Sequence, residues 1–490
     1  MHKLSKSTYL RGMQCIKSLY FNKFHPELKD EIGDAQQAIF DKGHLIGEYA
    51  WKLFPGGRDA SEGEPFEVEK SLQRTQELIE EGQEVIYEAA FEFEGVLCYM
   101  DILLKDGAGW KAYEVKGSTN IKNYHIDDTA LQYYVITHSG IDLKDISVVC
   151  LNNRYVRQGE IEAEKLFKIE SVLEKIGKKQ KEVAENIQRF KDVLSSGSVP
   201  DMDIGPYCSD PYACDFRGHC WKHIPENTVF DINKLAGKKK FELYRQGILT
   251  FEDINREKVP LNPNQHMQVD ASLKGTITKN KTALLEFLNK LNYPLYFLDF
   301  ETFQPAVPLY DQSRPYQQIP FQYSLHVQMA PGAEVRHYEF LADGDADPRI
   351  PFIQQLIKDL KEEGDIVVYN QAFENGRLKE IARDFPEFAE EIKKISPRIV
   401  DLMKPFRSKH YYLPQMQGSY SIKKVLPALV PGLNYDELEI SEGGAASRGF
   451  EGLMYAKDPV EKEKLRNNLL EYCKLDTLAM VRILEILTMI

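Results

Sequence analysis

The chain runs to 490 residues and 56.5 kDa, too long for a single hydrophobic core, so two or three domains are expected. With 43% apolar residues, a mean hydropathy of -0.42, no apolar signal core and no run near the roughly 18 apolar residues of a membrane span, it reads as a soluble cytoplasmic protein without a membrane partner. A net charge of -13 argues against non-specific coating of nucleic acid, yet a local basic channel can coexist with an acidic metal site.

The first chemistry-bearing elements lie between residues 99 and 116. Tyr99-Met-Asp101-Ile-Leu-Leu and Trp110-Lys-Ala-Tyr-Glu114-Val-Lys116 are apolar runs separated by Asp106-Gly-Ala-Gly109, the pattern of a β-hairpin. Glu114 and Lys116, two apart, leave one face of the second strand, where Asp101 on the first strand can meet them. Two carboxylates and an amine at one point suit metal-assisted phosphodiester hydrolysis. The carboxylates hold Mg²⁺ and the lysine offsets charge developing on the phosphate. Three such residues alone also decorate many solvated strand faces.

Seven cysteines occur, at positions 15, 98, 150, 208, 214, 220 and 473. Cys98 and Cys150 fall in strand-like runs and Cys473 in a helical one, as buried free thiols do. Cys208, Cys214 and Cys220 recur every six residues in a loop rich in Pro, Gly and Asp, which in a reducing compartment points to metal binding. Two cofactors compete. Zinc, slightly favoured by spacing, would take three thiolates with His219 or His223; an iron–sulfur cluster needs a fourth cysteine, and Cys15 is available.

Together, Ser5-Lys-Ser7 leading to Cys15, Asp101, Glu114-Val-Lys116 and the three-cysteine loop resemble the RecB-like PD-(D/E)xK nucleases. More narrowly they resemble the iron–sulfur branch that includes the CRISPR-associated exonucleases and the AddB-type recombination nucleases. The resemblance covers roughly residues 1–225 and implies an α/β, restriction-endonuclease-like domain. In it Cys15, Cys208, Cys214 and Cys220 would hold a 4Fe-4S cluster that staples the domain shut. It further implies that His44 joins Asp101 and Glu114 as a ligand of Mg²⁺ or Mn²⁺, that Lys116 is catalytic, and that Gln132 is the family's glutamine. Ile136 stands where the family has a tyrosine, leaving Tyr133 or Tyr134 to substitute.

Residues 226–275 predict two short helices joined by glycine turns, similar to the helix-hairpin-helix modules whose backbone amides grip phosphate. Lys238, Lys239 and Lys240 would add attraction to DNA of any sequence; a solvated basic turn in a linker reads equally well. Val259-Pro-Leu-Asn-Pro-Asn then reads as an ordered connector.

From about residue 285 the pattern restarts. Pro294-Leu-Tyr-Phe-Leu-Asp299-Phe-Glu301-Thr302 predicts a buried strand ending in acids, with Asp299 and Glu301 on one face. Such a pair repels unless a cation sits between its members. Asp365-Ile-Val-Val-Tyr-Asn370 predicts another strand, and Gln371-Ala-Phe-Glu374 opens a helix. An amphipathic pattern from Lys464 onward places Tyr472 and Asp476 on one helix face.

In this order the pieces resemble the DnaQ-like 3′–5′ exonucleases of the DEDD class, over roughly residues 285–490. The resemblance implies an RNase H-like mixed-sheet domain in which Asp299, Glu301, Glu374 and Asp476 hold two metal ions and Tyr472 positions the attacking water. Glu374 departs from the family's aspartate by one methylene, and Asp401, ending a further short strand, reads as a structural acid. The whole arrangement resembles a bacterial family that fuses the two nucleases. It implies a DNA exonuclease directed at single strands or ends, acting in repair or defence. The alternatives are an RNA-processing exonuclease and a nucleic-acid-binding scaffold with one or both centres inactive; no protein partner is indicated.

Overall fold

The computed structural model describes residues 3–31, 34–61, 67–436 and 438–489. It divides into two units, the first spanning 1–224 with 306–316 and the second spanning 225–305 with 317–490. Both mix helices with parallel and antiparallel strands, as an α/β chain should.

The first unit is built on a seven-stranded sheet. Its strands are β1 (Leu4–Ser5), β2 (Arg58–Asp59), β3 (Val85–Phe93), β4 (Val96–Asp106), β5 (Gly109–Lys116), β6 (Leu143–Leu151) and β7 (Phe167–Ser171). The order is β2-β3-β4-β5-β6-β7, with β1 parallel to β4. The expected hairpin is β4–β5, and Gly107 at φ 60° permits its tight turn. Helices α1 (Lys6–Gln14), α2 (Ile16–Phe24), α3 (Asp34–Trp51), α4 (Val68–Glu80) and α5 (Asn123–His138) surround this sheet.

The side-chain alternation of β3 and β4 breaks at one place. Val85 and Tyr87 enter one core cluster with Ile102, whereas Ala89 and Phe91 enter the other with Cys98 and Met100. Strict period-two pleating cannot do this, so the chain shifts face at Glu88 and Asp101. Glu88 takes the left-handed backbone region, φ 50°, to make the shift.

The second unit's main sheet contains, in chain order after the short β8 (Thr278–Lys279), β9 (Leu295–Phe303), β10 (Ile319–Gln328), β11 (Val335–Leu341), β12 (Asp365–Val368) and β13 (Ile399–Asp401). The order is β11-β10-β9-β12-β13. β9, β10 and β11 form an antiparallel meander, and β12 and β13 run parallel to β9. Tyr296, Leu298 and Phe300 pack on one face with Phe352, Ile353 and Leu378. The opposite face, carrying Asp299 and Glu301, is covered by the helices Gly443–Tyr455 and Pro459–Thr488. A separate pair joins β8 to β14 (Tyr411–Tyr412).

Residues 226–275 group with the second unit and form three helices, Gly237–Arg245, Phe251–Arg256 and Pro263–Lys274, rather than two and a connector. Pro263 begins the third because a first-turn residue has no intrahelical N–H to lose, and the Asn262 side chain caps it by accepting from the Gln265 amide. Among the described residues no helix is long and apolar enough to cross a membrane.

Candidate metal centres

In the first unit, β4 and β5 bring Asp101, Glu114 and Lys116 together, and α5 and α1 close over them. Glu114 is buried and fully engaged: Oε1 accepts from Lys116 Nζ at 2.6 Å and from Lys6 Nζ at 2.7 Å, and Oε2 accepts from Gln132 Nε2 at 2.6 Å. Gln132 also donates to the Tyr99 carbonyl at 2.9 Å, which fixes its amide. Asp128, one turn before Gln132 on α5, accepts from Lys116 and lies 3.7 Å from Lys6. Asp128 Oδ1 and Gln132 Oε1 remain buried with no hydrogen-bond partner among the described residues.

The electrostatics divide this centre. Burial would raise the Glu114 pKa, but the ammonium groups of Lys116 and Lys6 outweigh it and hold the carboxyl well below the usual range. Asp101 goes the other way, raised by burial and then by the Glu114 charge. Glu88, turned toward them by its left-handed backbone, is raised to about 7 by burial and Glu114. Sequence reasoning missed Glu88, Lys6 and Asp128. The sole sequence signal for Glu88 was an acid within an apolar strand, Val85-Ile-Tyr-Glu88-Ala-Ala. His44 lies exposed on α3, and among the described residues no close grouping of ligand atoms includes it.

Cys15, Cys208, Cys214 and Cys220, far apart in sequence, line one cavity of about 130 Å³ together with Met202, Phe216 and His223. The N-terminal helices are clasped to this loop. Arg11 makes a two-pronged pair with Asp215 at 2.5 and 3.0 Å, and Gln14 donates to the Tyr207 and Tyr212 carbonyls, both at 2.7 Å. Burial pushes the Cys220 thiol up to about 11, with the other three cysteines adding to the rise. A tetrahedral zinc with bonds of about 2.3 Å would hold sulfurs within about 4 Å of one another. Among the described residues no three donors of this loop lie within 4.8 Å of one another. His219 stands apart from the cavity lining, edge-on to Phe21 at 5.3 Å.

In the second unit, Asp299, Glu301 and Asp476 place ligand atoms within 4.8 Å of one another, alone among the described residues in doing so. Alternation on β9 supplies the first two, and the helix Pro459–Thr488 lays Asp476 over them. That helix is held in register by Gln322 donating to the Leu469 carbonyl at 2.8 Å and by the hydroxyls of Ser324 and Thr477 at 2.6 Å. Asp299 and Glu301 are pushed well above the carboxylate range by burial and then by Asp476. Asp476 reaches about 6 through burial, against the lowering effects of Tyr435 and Lys423.

Tyr472 is buried one helical turn from Asp476, and Tyr435 donates to Asp476 Oδ1 at 2.6 Å. Lys423 Nζ stands 5.5 and 5.4 Å from the ring centres of Tyr435 and Tyr472. Neither Tyr435 nor Lys423 was singled out in the sequence, because their ties to Asp476 span more than forty residues. Glu374 falls outside the close triad, although its charge acts on Asp299 and Glu301. Its Oε2 is buried without a partner, and burial raises its pKa to about 8. Asp401 is structural, accepting the Asn370 and Met403 amides, both at 3.0 Å.

Of the three lysines at 238–240, all in the first turn of one helix, Lys240 is turned inward. Its ammonium donates to the Phe230 carbonyl at 2.7 Å, which withdraws it from any phosphate; Lys238 stays exposed.

A family model described as a domain of unknown function, DUF2779, matches residues 296–421. The uncharacterized protein UU173 of Ureaplasma parvum is 26% identical over 232 residues, 43% of this chain and 33% of its own. The uncharacterized protein MG366 of Mycoplasma genitalium is 27% identical over 216 residues, covering 40% of this chain and 32% of its own. The Mycoplasma pneumoniae homolog of MG366 is 27% identical over 229 residues, 43% of this chain and 34% of its own. The chain thus spans about a third of the length of these relatives.

Proposed function

We propose that this protein is a metal-dependent nuclease with one carboxylate centre in each unit. The observation that carries the reading is the gathering of Asp299, Glu301 and Asp476 within 4.8 Å in a buried position where each is driven toward protonation. A divalent cation removes that repulsion, and no salt bridge to these three carboxylates takes its place among the described residues. Mg²⁺ or Mn²⁺ held there would polarise a phosphoryl oxygen and lower the pKa of a bound water.

The chain's own groups have distinct tasks in this scheme. Tyr435 fixes the Asp476 carboxylate with Tyr472 beside it, and Lys423, which lies near both rings and donates to the Ser441 carbonyl at 2.6 Å, would have to leave that carbonyl to offset charge on a phosphate. In the first unit Asp101 and Glu114 would hold the ion, Gln132 orients Glu114, and Lys116 offsets phosphate charge with Asp128 orienting it. The restriction-endonuclease-like and RNase H-like folds belong to this proposal, supported by acids carried on interior strands of two mixed sheets, Asp101 and Glu114 on β4 and β5 and Asp299 and Glu301 on β9. The cavity that gathers Cys15, Cys208, Cys214 and Cys220 supports a thiolate-bound group, a 4Fe-4S cluster on the family resemblance with zinc as the alternative; bound there, it would tie residue 15 to residues 208–220 and hold the unit closed. DNA strand ends in the cytoplasm, in repair or defence, are the substrate and setting that the family resemblance suggests.

The test is cleavage of end-labelled DNA and RNA with Mn²⁺ by Asp101→Ala, Asp299→Ala and the double variant. Loss in one single variant identifies the working centre, and loss confined to the double variant means that both work. Cleavage retained by the double variant, or binding without cleavage by the unaltered chain, removes the nuclease reading.

A further inference from the structure

Beside Lys116 lies a polar cavity that the scheme above leaves unused. The chain leaves β5 at Lys116 and turns through Gly117, Ser118, Thr119 and Asn120 before Lys122 opens α5. These residues, with Asn153, Pro315 and Tyr316, line a cavity of about 480 Å³. Pro315 and Tyr316 arrive on the strap 306–316, which follows β9 in the chain yet belongs to the first unit. The strap is built in. Ala306 and Val307 are buried in a core with Tyr87, Tyr113 and Val149, and Arg157 donates to the Pro308 and Leu309 carbonyls at 3.0 and 2.6 Å. Asp311 accepts the Gly159 amide at 2.8 Å, and the Tyr316 hydroxyl donates to the Gly117 carbonyl.

The lining has the chemistry of a phosphodiester-strand site. It offers the amide of Asn153, the ammonium of Lys122 and an aromatic wall, beside a polar turn in which the Ser118 hydroxyl donates to the Asn120 carbonyl at 2.8 Å and the Asn120 amide to the Thr119 hydroxyl at 3.4 Å. These are side chains that hydrogen-bond phosphate and sugar oxygens, and aromatic rings are what unpaired bases lie against. It contains no carboxylate, in a chain of net charge -13. Lys122 is exposed and occupies the N-cap of the 16-residue α5, so the positive end of the helix dipole adds to its charge. Lys116, whose ammonium is held by Glu114 and Asp128, is the chain neighbour of Gly117 in this lining, so the cavity begins one residue beyond the first centre's lysine.

We propose that the cavity is the subsite for the nucleotides flanking the scissile phosphate of a single-stranded nucleic acid, with Lys122 and Asn153 holding backbone phosphate and Pro315–Tyr316 forming its wall. The proposal rests on the first centre being a nuclease, and the experiment separates the two. Strand binding is measured in the full chain carrying Asp101→Ala and Asp299→Ala, by anisotropy of a labelled oligodeoxynucleotide and of the matching oligoribonucleotide across a salt series. Cleavage by the first centre is measured separately in the Asp299→Ala chain.

Adding Lys122→Ala should weaken strand binding roughly tenfold at low salt and reduce the slope of log Kd against log salt by about 0.7, the value of one contact on a single strand. In the Asp299→Ala chain it should raise KM by a similar factor with kcat largely kept. Asn153→Ala should weaken binding without changing the slope, since it removes no charge. Lys181→Ala, an exposed lysine on the helix Gln180–Ser195, should leave affinity and slope alone. Equal losses on both oligonucleotides indicate a phosphate contact, whereas a larger loss on one places a sugar contact in the subsite. If Lys122→Ala and Asn153→Ala bind with unchanged affinity and slope, the subsite is overturned whether or not the centre cleaves. If the Asp299→Ala chain does not cleave while Lys122→Ala still loses affinity, the nuclease reading of the first centre fails and the strand site stands.

Discussion

Replacing Asp476 by asparagine should make the metal-free protein more stable, although it alters a buried residue. Burial holds this carboxyl at about 6 against an ordinary 3.8, the Tyr435 hydrogen bond and Lys423 limiting the rise. The folded state therefore keeps a proton that the unfolded chain releases between those values, so stability falls as pH rises through the window and the full cost applies above about pH 7. A shift of about two units at about 1.36 kcal/mol each is worth roughly 3 kcal/mol at pH 8, falling to about 1 kcal/mol at pH 4.5. Asparagine escapes that cost and can still accept from the Tyr435 hydroxyl. For a unit of this size each kcal/mol moves Tm by about 2–4 °C, so a rise of roughly 5–10 °C is expected at pH 8 and much less at pH 4.5.

The divalent ion should reverse the ranking. At a hundredfold excess over its Kd, Mn²⁺ adds about 2.7 kcal/mol to a protein that binds it only when folded. Asp299 and Glu301 alone should hold it poorly, so the variant gains little. The measurement is differential scanning calorimetry at both pH values, with and without Mn²⁺, in an Asp101→Asn background that silences the first centre. A variant that melts below its parent at pH 8 without metal, or that gains as much from Mn²⁺, would refute the reasoning.

Lys6→Met should lower metal-free stability by about 1–2 kcal/mol, a figure reduced because the lysine side chain is 30% exposed, and should tighten Mn²⁺ at the first centre by removing a competing cation; urea unfolding and titration calorimetry in the Asp299→Ala chain read both effects, and unchanged values would count against them. Cys214→Ser should abolish the broad visible absorption of anaerobically purified protein together with its iron and acid-labile sulfide. A colourless parent chain carrying one zinc would contradict the cluster. Glu374→Gln should stabilise the metal-free chain increasingly from pH 4.5 to pH 8, by about 2 kcal/mol or more at the upper end, because the native carboxyl is held at about 8 with one oxygen unpartnered. Denaturant midpoints at the two pH values check it, and a destabilised variant at pH 8 is the contrary result.

What was legible in the sequence was local. The hairpin, the acid pair on β9 and the shared helix face of Tyr472 and Asp476 all follow from periods of 2 and 3.6, which survive in any context. Glu88 was hidden because a face shift in β3 and β4 breaks period two at that residue, so strict alternation hides the side it faces. Lys6, Lys423 and Tyr435 were hidden because no local rule ties a surface-type residue to an acid a hundred or forty positions away, and Asp128 because its lysine partner stands twelve residues back on a different element. The reach of 306–316 into the first unit was equally illegible, since it reads as the loop between β9 and β10. Pro263 misled in the opposite sense: proline within a run signals a break, but at a first helical position it costs nothing.

The two carboxylate centres differ in how they tolerate having no ion, and this decides which one an ion must compete for. The first is neutralised from within: Lys116 and Lys6 both donate to Glu114 Oε1, and Asp128 draws on the same two ammonium groups. An ion approaching Glu114 must displace a lysine already in place, and Lys6, on the short helix α1 and partly exposed, is the one that can leave without disturbing the strand pair. The second centre has no such pairing. Its three acids are relieved in the free chain chiefly by keeping protons, with hydroxyls and a neighbouring ammonium as support. Ion binding there must expel protons from all three acids, so its affinity should climb steeply from pH 5 to pH 8, whereas at the first centre Glu114 is already ionised and of the two ion-holding acids only Asp101 has a proton to give up, so the climb should be shallower. Titration of Mn²⁺ into Asp101→Ala and Asp299→Ala chains across that range compares the centres directly, and parallel pH profiles would show that the lysine pairing does not set the difference.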